Sequence, residues 1–315
     1  MLVIRPASVR PKQAGAGALA NLRRDYALAL LMLPGLVYYV VFHYVPMYGV
    51  WMAFTDFNLS ESILGSDFVG LKWFNEFFNS YFFWRLLGNT LALSVLNLLW
   101  GFPIPIIFAL FLHEMRQPVY KRVVQTLSYL PHFISTVVVV GILTSVLSPN
   151  GGVVNTLIKA CGGKPVDFMS SSAWFRPLYI GSDVWQSFGW NSIIYLAALT
   201  AVDPGLYEAA RIDGANRFQQ VVHVSLPCIM PTIIILLIMQ LGRMMNVGYE
   251  KIILMYSPAT YDKADVISTY VYRRGIQGGQ YSFGAAVGLF NNVINLILLL
   301  TVNAVSRRVG EVSLW

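Results

Sequence analysis

Six apolar runs, each long enough to cross a lipid bilayer, dominate the chain. A helix needs about 20 predominantly apolar residues to span ~30 Å of hydrocarbon. The runs that meet this length are residues 27–54, 86–112, 123–147, 178–202, 224–246 and 283–306. The sequence therefore predicts an all-α polytopic membrane protein with six transmembrane helices.

The composition agrees with a membrane protein and argues against other classes. Charged residues make up 12% of the chain, about half of the ~25% found in soluble domains. The formal net charge of +7 comes from scattered basic residues with no dense tract, so nucleic acid is not an expected partner. A basic start before an apolar run also suggests a signal peptide, but the uncharged run 26–55 is too long for one and is expected to stay as a first span.

The distribution of Lys and Arg between the spans predicts the orientation. With the N-terminus inside, the inner segments hold 12 Lys and Arg, and the longer outer loops hold nine. Because cytoplasmic loops are the richer in positive charge, both termini and the loop 203–223 are expected in the cytoplasm. The chain then divides into a basic cytoplasmic segment 1–25, a first span with its outer loop at 26–85, and a core at 86–315.

The loop 203–223, DPGLYEAARIDGANRFQQVVH, has more helix signals than a connector between two spans needs. Asp203 before Pro204 predicts a helix start, because the carboxylate caps free N–H groups and proline suits the first helical position. Gly214 suits the left-handed turn that ends a helix, and a second short helical piece at 216–224 then leads into the next span. We expect a helix–turn–helix block across the cytoplasmic mouth of the bundle.

One surface of this block is predicted to receive another protein. Ala209 and Ala210 are small enough for close approach, and Glu208 offers a charge suited to an arginine on that protein. Together with Asp213 and Gly214 at the turn, they form the predicted docking site.

The loop and the start of the next span also share a spacing of acidic, small, glycine and proline residues with a known signature. Its positions are Glu208-Ala209-Ala210, Gly214, Val224 and Leu226-Pro227. This spacing resembles that of the permease subunits of bacterial ATP-binding-cassette (ABC) importers, with Val224 where isoleucine is usual. The form EAARIDGA and the tail TYVYRRGIQGGQYSFGAAVGLF resemble the carbohydrate-uptake branch. The Tyr- and Pro-rich first span resembles permeases for oligosaccharides derived from polysaccharides, of the alginate or rhamnogalacturonan type.

The resemblance implies a type I ABC importer permease fold in a bacterial cytoplasmic (inner) membrane, together with a set of partners. In that family the loop docks into a cleft of a nucleotide-binding subunit and transmits its closure to the spans. We therefore expect a second, non-identical permease subunit, two ATP-binding subunits, an extracytoplasmic sugar-binding protein and surrounding membrane lipid. No catalytic residue, cofactor or metal site is expected, because the chain lacks the GxxxxGK phosphate loop followed by Ser or Thr and shows no paired metal-ligand spacing.

Two polar patches inside the predicted spans are candidates for the cargo path. Gln240, Arg243 and Asn246 recur every three positions and are predicted to share one helix face in the outer half of the fifth span. At similar depth on the fourth span lies a second patch of Trp185, Gln186, Trp190 and Asn191. Aromatic faces and amide groups suit the apolar faces and hydroxyl rims of sugars. The alternative is that Arg243 snorkels to the interface and the amides bond neighbouring helices, as we expect of Asn291, Asn292 and Asn295.

The predicted cargo is an oligosaccharide, and an acidic one is favoured because Arg243 and the outer Lys251, Arg273 and Arg274 are basic. The alternatives are an ion-coupled secondary sugar carrier and an ABC permease for a non-sugar solute. Ion-coupled carriers commonly use acidic residues within the membrane, and none of the 15 Asp and Glu residues is placed in the middle of a predicted span. This disfavours the ion-coupled alternative.

Overall fold

The computed structural model describes residues 26–60 and 62–310, so the predicted basic segment 1–25 lies outside the described residues. The regular elements of the described part are helical, apart from an isolated antiparallel bridge between Thr55 and Phe68. The described residues divide into two units, with the boundary between Trp51 and Met52. The boundary falls near the end of the first predicted span.

The first unit is built on helix α1, Tyr26–Tyr39, which continues as a π-helical turn at Val40–Tyr44. A 3₁₀ segment, Val45–Phe54, then extends to the end of the first predicted span. Pro34 lies inside α1, where its missing N–H removes one helical hydrogen bond. Most large apolar side chains of this stretch are exposed, as expected of residues that face lipid.

The second unit contains the remaining helices, joined by short 3₁₀ and π-helical turns. They are α2 Lys72–Phe78, α3 Phe83–Gly101, α4 Pro103–Glu114, α5 Pro118–Tyr129, α6 Thr136–Leu147, α7 Val153–Ala160, α8 Ser172–Thr200, α9 Pro204–Ile212, α10 Arg217–Gln220, α11 Leu226–Leu241, α12 Tyr249–Met255, α13 Tyr261–Ala264, α14 Ile267–Tyr270 and α15 Tyr281–Gly310. The helices α3, α4, α8, α11 and α15 form the body of the bundle, because each packs against at least one other in this group.

Within residues 26–60 and 62–310, four helical stretches are long and apolar enough to cross a membrane: Tyr26–Phe54, Phe83–Glu114, Arg217–Leu241 and Tyr281–Arg308. A fifth is present if the pair Pro118–Phe133 and Thr136–Leu147, bent by 99°, is a single span. Helix α8 has 29 residues and covers the fourth predicted span except for its last two positions. Its Trp, Gln, Asn and Asp side chains lower its hydropathy below that of the other spans. The count of six spans therefore stays a prediction.

The third predicted span, 123–147, is not one straight helix. It bends after Phe133, where a 3₁₀ turn containing Pro131 follows α5. A new helix then starts at Ser135, whose hydroxyl oxygen accepts a hydrogen bond of 3.4 Å from the Val138 N–H. Proline and a serine cap within five positions explain a break that apolar periodicity alone does not reveal.

The fifth predicted span, 224–246, is also displaced in the structure. The helical stretch starts earlier, at Arg217, and ends at Leu241. Beyond Leu241 the backbone hydrogen bonds join residues three positions apart and not four, as in the bond of 3.1 Å from the Arg243 N–H to the Gln240 carbonyl. Arg243 and Asn246 thus lie in turns after the helix and not on its face.

Polar side chains mark two opposite ends of the second unit. At one, which we call the loop end, α9 and α10 lie beside Glu114, the last residue of α4. At the other, which we call the polar end, Arg85 near the start of α3 faces Asp265. The 32 residues Phe83–Glu114 connect these ends, a length of about 48 Å for a straight helix.

Candidate functional site

The predicted docking loop forms the helix–turn–helix block that its sequence indicates. Helix α9 starts at Pro204, and the Asp203 carboxylate accepts a hydrogen bond of 2.9 Å from the Gly205 N–H. The turn that ends the helix contains Gly214, which has φ +79°. That left-handed conformation favours glycine and lets the Ala215 N–H reach the Ala210 carbonyl at 2.9 Å.

A reciprocal pair of hydrogen bonds starts the second helix of the block. The Asn216 side chain accepts from the Gln219 N–H at 2.9 Å, and the Gln219 side chain accepts from the Asn216 N–H at 2.8 Å. This capping box satisfies two N–H groups that a helix start otherwise leaves free. The helix then passes into α11 without a break through the π-helical turn Val221–Ser225. The block and α11 thus form one uninterrupted helical stretch.

Two contacts tie the block to the bundle. The Tyr207 hydroxyl and the Ser225 hydroxyl are 2.9 Å apart, and Arg217 forms an ion pair of 3.3 Å with Glu114. Both contacts lie on the bundle side of the block. The block also has large exposed apolar side chains, with Ile212 87% and Phe218 76% exposed. Exposed apolar groups beside charged ones are typical of a surface that receives another protein.

A cleft of about 890 Å³ lies between the block and the end of α4. Its charged lining includes Glu114, Arg116, Glu208, Arg211 and Arg217. Glu208 is exposed and has no ion pair among the described residues. Its carboxylate is therefore free to pair with a cation of another chain.

A second concave region, of about 430 Å³, lies between α3, α8 and the end of α11 and contains one of the two predicted path patches in full. We call it the central cavity. Its lining includes Asn191, Gln240, Arg243 and Asn246, together with Asn97 and Tyr179. Although Arg243 and Asn246 lie beyond the end of α11, the turns return both side chains to the cavity.

Arg243 differs from the other cations near the core. Its side chain is exposed, and its guanidinium makes no hydrogen bond or ion pair with any residue in the described ranges. By contrast, the three outer cations that favoured an acidic cargo all have internal partners. Lys251 lies 3.4 Å from Asp183, Arg273 pairs with Asp265 and Arg274 pairs with Glu76. These three charges are therefore paired within the chain, and among the four cations only Arg243 is left without an internal partner in the described residues.

Comparison with known families now identifies the chain. Residues 101–311 match the family model described as "Binding-protein-dependent transport system inner membrane component". The chain belongs to this family.

Individual relatives of this permease agree with the family assignment. It is 44% identical over 94% of its length to the polygalacturonan/rhamnogalacturonan transport system permease protein YteP of Bacillus subtilis, covering 92% of that protein. Identity to the protein LplB of the same organism is 42%, over 99% of this chain and 98% of LplB. A crystal structure of a bacterial alginate ABC transporter, in complex with an alginate pentasaccharide-bound periplasmic protein, contains a chain with TM-score 0.87 and 43% identity. The match covers 95% of the permease and all of that chain.

These findings confirm the prediction of an oligosaccharide-importer permease of the ABC type. They do not support the alternatives of an ion-coupled secondary carrier or a permease for a non-sugar solute. The helical fold and the inner-membrane family agree with the sequence analysis. The roles of the individual docking and path residues stay predictions.

The second predicted path patch is divided in the structure. Asn191 lines the central cavity, but three of its neighbours do not. The Gln186 amide donates a hydrogen bond of 2.7 Å to the Ile134 carbonyl, and Trp190 stacks on His132 with ring centroids 4.5 Å apart. Trp185 is 44% exposed. Gln186 and Trp190 thus join α8 to the bend after α5, which is the helix-packing alternative for these side chains.

Asn246 lies at the cavity wall and also bonds to α15. It lines the cavity, yet its side-chain oxygen accepts hydrogen bonds from Asn291 at 2.9 Å and Asn295 at 3.0 Å. Asn295 also accepts from the Met245 N–H at 3.0 Å. The prediction that Asn291 and Asn295 pack helices is therefore confirmed, and Asn246 has little acceptor capacity left for a sugar.

The sequence analysis missed three polar side chains of the cavity wall. Ser94, Asn97 and Tyr179 line it, although none belongs to either predicted patch. Asn97 donates a hydrogen bond of 3.1 Å to Asp183, which in turn pairs with Lys251. Burial lowers the pKa of Lys251, while the adjacent Asp183 carboxylate opposes that shift. An asparagine three residues after a serine in an otherwise apolar span is the signal that was available.

Proposed function

We propose that this permease forms, with a second and non-identical permease subunit, the membrane path of an importer for acidic oligosaccharides. Two ATP-binding subunits drive it from the cytoplasm, and an extracytoplasmic sugar-binding protein delivers the cargo. The chain itself is a non-catalytic subunit. The relatives support this proposal, since one is named for polygalacturonan and rhamnogalacturonan transport and another belongs to an alginate transporter.

The observation that supports an acidic cargo is the unpaired Arg243 in the central cavity. A cation in the middle of a membrane protein is costly unless water or an anion receives it, and such residues commonly mark a substrate pathway. The nearby ion pair of Lys251 and Asp183 has no net charge. Arg243 therefore gives the cavity a positive potential that favours a uronate carboxylate, which a guanidinium binds through two parallel hydrogen bonds.

The docking block supports coupling to ATP hydrolysis. Its exposed face contains Glu208, Ala209 and Asp213, and the rigid turn at Gly214 fixes their spacing. Because α10 and α11 form one continuous helical stretch, a displacement of the block by the ATP-binding subunit also moves Gln240 at the central cavity. We place this block and both chain termini in the cytoplasm, in line with the excess of Lys and Arg in the inner segments.

Reconstitution of the complete importer in liposomes tests the proposal. The permease, its second permease subunit and the ATP-binding subunits are incorporated, and the sugar-binding protein and an oligogalacturonide are added outside. We expect uptake that requires ATP at the cytoplasmic face and persists when a protonophore collapses the proton gradient. Uptake driven by an ion gradient without ATP contradicts the coupling. Equal uptake of a carboxyl-reduced, neutral analogue contradicts the acidic specificity.

A further inference from the structure

A separate pocket lies at the polar end of the second unit, far from the docking block. We call it the outer pocket. Its volume is about 610 Å³, and it lies between the start of α3, the start of α8 and the segment that precedes α15. The chemistry of its wall comes from Phe82, Arg85, Ser172, Tyr261, Asp262 and Arg273.

Two arginines at this pocket share one carboxylate unequally. Asp265 is completely buried, and Arg273 binds both of its oxygens, at 3.1 and 2.8 Å. The Thr269 hydroxyl donates a third hydrogen bond of 2.9 Å to the same carboxylate. Arg85 remains 3.7 Å away, outside hydrogen-bond distance. Asp265 is therefore nearly saturated by its other partners.

Arg85 consequently has unused hydrogen-bonding capacity. Its Nε is buried and has no hydrogen-bond partner, and the side chain as a whole is 34% exposed. A guanidinium has five N–H donors in a planar fork that matches the geometry of a carboxylate. Arg85 lines the pocket, so an anion there can approach the exposed part of its guanidinium.

The rest of the wall provides for the other parts of a sugar acid. Asp262 is exposed and accepts a hydrogen bond from the Ser172 hydroxyl, so its carboxylate can accept further bonds from hydroxyl groups. The rings of Phe82 and Tyr261 supply apolar surface beside the two arginines, which lie 4.8 and 5.0 Å from the respective ring centroids. An inorganic anion, or a carboxylate without hydroxyl groups, would bind Arg85 but would make no hydrogen bond to Asp262.

We propose that the outer pocket is a second binding site of the permease, for one carboxylate-bearing ring of an acidic oligosaccharide. The ring's carboxylate binds Arg85, its hydroxyls donate to Asp262, and its apolar face contacts Phe82. The inference rests on the proposed acidic cargo and adds a site at the end of the bundle opposite the docking block. Ser94 and Asn97 of the central cavity are nine and 12 residues further along α3, about 14 to 18 Å from Arg85. One chain of several sugar rings is long enough to contact both sites.

Binding of an oligogalacturonide to the complete importer in lipid nanodiscs, without the sugar-binding protein, tests the outer pocket. Saturation-transfer NMR detects the sugar protons that contact protein. We expect Arg85→Gln to weaken oligogalacturonide binding by about tenfold, the effect of losing one charge-assisted contact. The matched control is Lys72→Gln, which removes an exposed cation that is paired with Asp56 and does not line the pocket. It leaves binding at the wild-type level.

Two further variants distinguish sugar bound in the outer pocket from sugar bound in the central cavity. Phe82→Leu retains every charge and removes a ring that is 37% exposed, so it tests the pocket if Arg85→Gln fails to assemble. We expect it to weaken binding and to reduce the transfer to the ring C–H protons. Arg243→Met leaves the signal of the outer pocket in place, because that residue lines the central cavity.

Unchanged oligogalacturonide binding in both Arg85→Gln and Phe82→Leu overturns the outer site. It is also overturned if Arg85→Gln weakens only the affinity of the sugar-free binding protein for the importer, since the pocket then receives an acidic protein side chain. These failures differ from failure of the proposed function, in which the wild-type importer takes up no oligogalacturonide with ATP.

Discussion

The loop end and the polar end of this permease both contain charged side chains but use them in different ways. At the loop end, hydrogen bonds between residues two to five positions apart build the block, and Glu208 stays exposed without an ion pair among the described residues. At the polar end, contacts between residues far apart in sequence dominate. Arg274 reaches Glu76, and Asn89 donates to the Asp265 carbonyl. The first arrangement leaves charges free for a partner, whereas the second uses them to hold an outer segment against the bundle.

The largest expected effect is a loss of stability when a buried charge is removed at the polar end. Asp265→Ala leaves Arg273 partly buried without its carboxylate, and breaking a buried pair costs about 3–5 kcal/mol. The pKa of Arg273 is raised: burial lowers it, but the hydrogen bonds and charge of Asp265 outweigh that effect. We expect a large fall in the thermal unfolding temperature of the purified permease.

The control for this prediction is Asp56→Ala, whose ion pair with Lys72 is about half exposed on both sides. Such a pair contributes only about 0–1 kcal/mol. Equal unfolding temperatures for Asp265→Ala and Asp56→Ala contradict the view that buried pairs stabilise the polar end.

At the loop end the largest effect is expected from the backbone. Gly214→Val places a β-branched residue at φ +79°, although an added Cβ has no neighbour within 4 Å. The strain is therefore conformational and costs about 1–3 kcal/mol. We expect normal insertion into the membrane with loss of substrate-stimulated ATP hydrolysis. Gly214→Asn is the control, because asparagine tolerates the left-handed region, and it retains most of the activity. Wild-type stimulation in the valine variant contradicts the docking role of the turn.

A smaller effect is expected from charge at the docking face. Glu208→Lys opposes an arginine expected on the ATP-binding subunit, and we expect at least about tenfold weaker coupling of ATP hydrolysis to uptake. The unfolding temperature is unchanged, because Glu208 has no ion pair in the described part of the chain to lose. Glu250→Lys makes the same charge change on α12, outside the docking block, and is expected to leave coupling intact. Coupling that survives in both variants removes Glu208 from the docking site.

The contrast between the ends also explains how far the sequence predicts the structure. The start of α9 at Asp203-Pro204 and its end at Gly214 depend on residues adjacent in the chain, so local rules place them correctly. The two cations near Asp265 lie 8 and 180 positions away in the sequence. The carboxylate that pairs with Lys251 lies 68 positions away. No local pattern indicates these partners, so the cations looked free in the sequence.

The cargo path lies between these two cases. The sequence analysis predicts Arg243 and Asn246 on one helix face, but the helix ends before them, at Leu241. The turns that follow still place both residues at the cavity. The same spacing of three residues satisfies one helix face and a run of 3₁₀-like turns equally well. The sequence analysis predicts Trp190 and Gln186 on the path from their residue types and their depth in the fourth span, but Trp190 stacks on His132 and Gln186 donates a hydrogen bond to Ile134.

The smallest expected effect concerns Arg243, which lines the central cavity but is exposed, as Glu208 is at the loop end. Its guanidinium is exposed and unpaired within the described residues, so a contact to cargo is weakened by water in the cavity. An exposed ion pair contributes about 0.2–1 kcal/mol, which corresponds to a change of up to about fivefold. We expect Arg243→Met to reduce ATP-driven uptake of an oligogalacturonide by this factor and to leave uptake of a carboxyl-reduced analogue unchanged. Arg243→Lys retains the charge without the planar fork and gives an intermediate rate. If the methionine variant transports both sugars as the wild type does, Arg243 only extends toward water. The preference for an acidic cargo must then come from elsewhere, and the outer pocket at Arg85 is the remaining candidate.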